Sequence, residues 1–225
     1  MTPYILPALF LTVGSCFSQL YYLEARKRGL HTWALGYKAL TGLCFCLIGT
    51  LLFIRSSTGG LILSGLWLGF LGDLLLSLRL LFPRQRRRAF LGGALTFALG
   101  HLCYLSFLLT KAPELLPALL AAAVLILPCE VLAKNTGWSQ GSLHLPVLAY
   151  LGLEALVSGA ALSCLWQSPD LHLAFFALGT LLLLVSDNLL CAQSFGNRPS
   201  PRRDRSTHLT YLLAQLILAW CLFFL

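Results

Sequence analysis

A chain of 225 residues that is 58% hydrophobic and only 11% charged has too little polar material to coat a globular surface of its size, which excludes a soluble domain. Its net charge of +8 comes from Lys and Arg in short segments between long apolar runs. There basic residues orient a membrane protein, and nucleic-acid binding is a poor reading.

Eight apolar runs follow one another: residues 2–22, 32–54, 59–82, 89–110, 113–132, 143–166, 171–192 and 207–225. Each is close to the roughly 20 residues a helix needs to cross the hydrocarbon core. The first lacks a basic n-region and a small-residue cleavage site, so it reads as a span rather than a signal peptide. Pro128, Glu130 and Pro146 interrupt the fifth and sixth runs, where a re-entrant segment would change the count. The loops after odd-numbered spans carry three, four, one and four Lys or Arg, against one (Arg55), one (Lys111) and none after even-numbered spans. By the positive-inside rule the odd loops are cytoplasmic. The expected fold is therefore all-α, a single transmembrane domain over residues 1–225 formed by a polytopic bundle of eight helices, with both termini on the non-cytoplasmic side. The eight cysteines lie in or at the ends of spans without C-x-x-C spacing and read as small packing residues.

Within these spans the ionisable residues stand out, because acids at membrane depth are rare and are functional candidates by default. Asp73 sits in Gly72-Asp73-Leu74-Leu75-Leu76 and Asp187 in the apolar run 181–190; neither side chain is long enough to reach the interface. Counted from the cytoplasmic helix ends at about 1.5 Å per residue, Lys38, Asp73, Tyr150, Asp187 and Gln215 fall roughly 8 to 14 Å deep, and His101 and Glu154 roughly 16 to 18 Å. That clustering suggests one polar cavity entered from the cytoplasmic leaflet. Gly93, Phe97, Gly100, His101 and Tyr104 share one helical stripe, and Tyr150 with Glu154, like Tyr211 with Gln215, are one turn apart. Glycines of spans 3 and 4 read first as close-packing positions. Lys38 either snorkels or pairs with an acid, and Glu130 reads as interfacial.

Gly72-Asp73-Leu74-Leu75-Leu76, Phe97-x-x-Gly100-His101-x-x-Tyr104, Tyr150, Gly179 with Ser186-Asp187, and Thr210-Tyr211-x-x-Ala214-Gln215 resemble, in order and spacing, the YhhN family of multi-pass lysoplasmalogenases. The resemblance covers spans 2 to 8. Lys38 resembles the lysine of the family's Lys-Pro pair, with Ala39 in the proline's place. What the resemblance implies is hydrolysis of the vinyl-ether bond of a lysoplasmalogen, a bilayer-borne lysophospholipid, to a fatty aldehyde and glycerophosphoethanolamine or glycerophosphocholine. Such a reaction begins with protonation of the alkene carbon and leaves an oxocarbenium ion that water captures, so it needs an acid and a nearby anion. Two buried carboxylates with separated roles suit it, as in glycosidases.

Asp73 and Asp187 are the expected catalytic pair. His101, Tyr104, Tyr150 and Glu154 are expected to support and orient them; Tyr211, Gln215 and Asn188 to position the glycerol backbone; and Lys38 to meet the phosphate. His31, His144, His172 and His208 lie at span ends on both sides of the membrane, so neither a metal site nor a cofactor is expected. A proton-coupled transporter, or a hydrolase of another lipid bond, is the alternative. The expected location is an inner membrane in a bacterial host or the endoplasmic reticulum in a eukaryotic one.

Overall fold

Long apolar runs without water must satisfy their backbone groups internally, and helices are the local way to do so. The computed structural model describes residues 3–139 and 143–225, apart from the side chains of Leu80, Pro83 and Arg86. It contains α1 (Ile5–Lys27), α2 (His31–Ser56), α3 (Gly60–Leu81), a 3₁₀ turn (Pro83–Gln85), α4 (Arg86–Leu109), α5 (Leu115–Thr136), α6 (His144–Gln167), α7 (Leu171–Phe195) and α8 (Pro201–Cys221), and no strand among the described residues. The expected span start at residue 2 and the loop end at residue 142 lie outside those residues. Seven of the helices, α1 to α7, are long and apolar enough to cross a membrane. The eighth forms too, but it starts at Pro201, ahead of the apolar run, and Arg202, Arg203, Asp204 and Arg205 occupy its beginning. Charge does not end a helix, and proline suits a first helical position. Residues expected as loop are thereby helical, and no stretch of α8 is apolar enough to qualify as a span. Spans 5 and 6 are both continuous helices, α5 running straight through Pro128.

The helices gather into two compact units. One runs to Tyr104 and takes in Leu218–Leu225; the other is Leu105–Ile217. In the first, α1 packs on α2 and α2 on α3. A Schellman turn reverses the chain after α1: Gly29 takes φ 73°, its N–H reaches Arg26 O at 3.1 Å, and Leu30 N–H reaches Ala25 O at 2.9 Å. Residues of the last segment return to the same end as the α2–α3 turn. Arg55 Nη1 donates to Phe223 O at 2.8 Å, and Trp220 Nε1 to Thr12 Oγ1 at 3.0 Å. In the second unit α5, α6 and α7 pack on one another. The ends of α5 and α7 are joined by Ser139 N–H to Phe195 O at 3.0 Å and Asn197 N–H to Thr136 O at 2.9 Å. Both arrangements are what alternating spans require.

Close approach of α3 and α4 depends on glycine. A Cβ on Gly100 would lie 3.2 Å from Gly65 O, and one on Gly93 would lie 3.1 Å from Gly72 O and 2.7 Å from Leu76 Cγ. Two glycines per helix, seven residues apart, meet their counterparts at two levels, so the backbones touch as in small-residue membrane interfaces. Gly152, by contrast, has nothing within 4 Å of such a Cβ. Gly100→Ala is therefore expected to destabilise the chain by about 1–3 kcal/mol through overpacking against backbone. Gly152→Ala should leave the unfolding temperature in detergent unchanged or raised; equal behaviour of the two variants would contradict the interface.

Candidate functional site

In the first unit the sequence places a lysine on α2 and an aspartate on α3, about five residues out of register across their hairpin, roughly 7 Å along the axis. The long lysine stem spans that offset. Lys38 Nζ lies 3.1 Å from Asp73 Oδ2, and the two residues are 2% and 6% exposed. Lys38 thus turns inward to an acid instead of snorkelling. Its ammonium also stands over the Tyr22 ring, 5.5 Å from the centroid, while Arg26 Nη1 donates to Tyr22 Oη at 3.0 Å. Tyr22 was legible only as a span end; its role becomes visible when α1 packs on α2. On α4, His101 is buried, with Nδ1 2.9 Å from Phe97 O. A carbonyl can only accept, so Nδ1 carries the hydrogen in this contact. The ring meets Tyr104 edge-on at 5.9 Å. Tyr104 in turn packs over Gly65, where any side chain would displace it.

The second unit holds a different constellation. Tyr150 and Asp187 are nearly equidistant in sequence from Pro169 in the α6–α7 turn, so the antiparallel hairpin sets them level. Tyr150 Oη donates to Asp187 Oδ2 and lies 3.4 Å from Glu154 Oε1. Glu154, one turn on from Tyr150, is fully buried beside the same hydroxyl. Two carboxyl groups and a phenol therefore converge inside one helix pair. A phenol has one hydrogen to give, so Tyr150 can complete a bond to only one of the two carboxyl groups at a time. Sequence reading put Glu154 in a supporting place. The i, i+4 spacing from Tyr150 was the available signal, but helix rotation toward Asp187 was not.

Asn188, next in chain, gives Nδ2–H to Leu184 O at 2.7 Å, while its buried Oδ1 has no partner among the described residues. It faces the Cys129 thiol of α5. On α8, Tyr211 and Gln215 are buried one turn apart, and Gln215 Oε1 likewise lacks a partner among the described residues. Lys38 and Asp73, with His101 and Tyr104, belong to the first unit; Tyr150, Glu154, Asp187, Asn188, Tyr211 and Gln215 belong to the second. No three His, Cys, Asp or Glu side chains among the described residues converge as a metal-holding group. All eight cysteines are free.

Seven helices long and apolar enough to cross a bilayer, with a lysine and an aspartate paired in the interior of the first unit, define a multi-pass helical membrane protein. The sequence profile of the YhhN family matches residues 33–222, and the chain belongs to that family. Neither a curated protein nor a solved structure gave a match.

The Lys38–Asp73 pair yields a stability prediction. Lys38→Met alone should lower the unfolding free energy by about 3–5 kcal/mol by stranding a buried carboxylate, whereas Lys38→Met with Asp73→Leu should recover most of that loss. Thermal unfolding of the purified chain in detergent reads the difference. Equal losses in the single and double variants would rule the pairing out.

Proposed function

We propose that the chain is a lysoplasmalogenase, hydrolysing the vinyl-ether bond of lysoplasmenylethanolamine or lysoplasmenylcholine to a fatty aldehyde and the glycerophospho-alcohol. Membership of the YhhN family is consistent with this reaction. The observation that carries the reading is the Tyr150–Asp187–Glu154 cluster, two carboxyl groups on one phenol held away from bulk water. Proton donation to an alkene carbon needs a general acid, and the cation that follows needs an anion. Adjacent carboxyl groups cannot both be ionised, which keeps one proton available between them.

In this mechanism the Asp187–Glu154 pair delivers its proton to the β-carbon of the vinyl ether. The π electrons form the new C–H bond, and positive charge develops on the α-carbon and ether oxygen. The carboxylate left behind stabilises that oxocarbenium ion and then takes a proton from the attacking water. The resulting hemiacetal collapses to aldehyde and alcohol, and the pair is again singly protonated. Tyr150 keeps Asp187 oriented throughout. Asp73, the other acid of the family-like motifs, is proposed as a second required residue, paired with Lys38. The cytoplasmic placement of the α5–α6 and α7–α8 turns, argued from loop charge, makes the reaction one of the inner leaflet.

Aldehyde release from a lysoplasmalogen by the purified chain tests the reading, with an acyl lysolipid as the control substrate. Asp187→Asn and Glu154→Gln should each lose at least about 100-fold in kcat, the scale of a general acid's contribution. Tyr150→Phe should lose less, and Asp73→Asn should also fail to turn over. Full activity in both Asp187→Asn and Glu154→Gln would refute the assignment.

A further inference from the structure

Between α5 and α6 lies a cleft of about 510 Å³ lined by Ile126, Cys129, Glu130, Ala133, Lys134, Gly137, Trp138, His144, Leu148 and Leu151. Its chemistry is graded. Ile126, Cys129, Leu148 and Leu151 make an apolar floor, and the charged and indole groups stand toward the ends of α5 and α6. Sequence sets this up locally. A second Schellman turn, with Gly137 at φ 61°, Gly137 N–H on Lys134 O at 3.2 Å and Trp138 N–H on Ala133 O at 3.1 Å, folds Trp138 back along the last turn of α5. The Trp138 Nε1 hydrogen is buried and has no acceptor among the described residues.

Glu130 and Lys134 are one turn apart, a spacing that lets opposite charges pair on a helix. Here they form no ion pair with each other or with any described residue, yet both line the cleft. An unpaired cation, an unpaired anion and an idle N–H donor around one opening match a zwitterion. We propose that this cleft binds the head group of a lysophospholipid whose phosphate is esterified to ethanolamine or choline. Lys134 and Trp138 Nε1 take the phosphate oxygens, and Glu130 takes the ammonium. The rise of about 5.4 Å from one turn to the next suits the two-carbon reach from phosphate to nitrogen. The single alkyl chain then lies against the apolar floor, and lysophospholipids have only one chain to place.

The floor also leads to the acid cluster. Leu151 follows Tyr150 in the chain and packs with Cys191 and Val147. Cys129 faces Asn188, whose Oδ1, without a partner among the described residues, supplies an acceptor for a glycerol hydroxyl. A lipid held by its phosphate at Lys134 has its glycerol oxygens directed toward this wall. This assignment rests on the proposed lysoplasmalogen substrate for its choice of lipid but is tested by binding, which needs no turnover.

The probe is a saturated 1-O-alkyl lysophosphocholine, which lacks the reactive double bond, in equilibrium binding to the full-length chain in detergent. Lysophosphatidic acid, without the ammonium, and an alkylglycerol, without the phosphate, are the comparison ligands. Lys134→Gln should weaken both phosphate-containing ligands about tenfold, the scale of one charge-assisted contact. Glu130→Gln should weaken the phosphocholine ligand alone, and Trp138→Phe should weaken both phosphate ligands less than Lys134→Gln does. Binding of the phosphocholine probe unaffected by Lys134→Gln, or an alkylglycerol bound as tightly as the probe, would overturn the cleft. If the wild-type chain binds with the expected pattern but releases no aldehyde from the vinyl-ether analogue, the catalytic reading fails and the head-group site stands.

Discussion

The charges buried in this fold answer to one constraint: a charge removed from water must find its opposite or a hydrogen bond within the helices themselves. The 3.1 Å contact of Lys38 with Asp73 is the plainest case. It fixes the rotation of α2 against α3, because either helix turned away would leave an ion facing hydrocarbon. Packing around it follows suit, with Tyr22 of α1 closing over the ammonium and Gly72, next to the aspartate, admitting Phe97 of α4. The second unit meets the same constraint differently. There Asp187 and Glu154 are met by the Tyr150 hydroxyl, a neutral partner in place of an ammonium.

Much of this was legible in the chain, and the parts that were not share a reason. Apolar run length gave the helices because hydrocarbon leaves the backbone no other local solution, and the glycines of spans 3 and 4 gave their contact. Asp73 and Asp187 stood out because depth alone makes a short acid conspicuous. What one-dimensional reading lacks is the angle at which each helix presents its residues to the next. That angle decides that Lys38 reaches Asp73, and that Glu154 joins Asp187 when periodicity could only tie it to Tyr150. Glu130 and Lys134 illustrate the same limit. At a span end each looks like an ordinary interfacial residue, and only the facing surface of α6 shows that both border one cleft. The early start of α8 has another origin: hydropathy marks where hydrocarbon can begin, whereas helix formation in the Arg-rich segment needs no hydrocarbon.

The two units also show how one helical architecture separates rigidity from reactivity. Direct backbone contact between α3 and α4 leaves little room for side-chain rearrangement around the buried ion pair. The α5–α6 pair, in contrast, opens into a cleft beside the carboxyl pair.

The return of Leu218–Leu225 to the first unit bears on how the chain is assembled in time. Trp220 and Phe223 bind Thr12 and Arg55, partners made some two hundred residues earlier by sequence separations of 208 and 168. During synthesis, α1 to α4 therefore enter the bilayer with one wall of their unit missing, and that wall arrives only after α5, α6 and α7 have been threaded. Until then the face of α2 at Gly49, which meets Leu222, lacks that partner. Folding of the first unit is thus completed only once the last segment of the chain has been made.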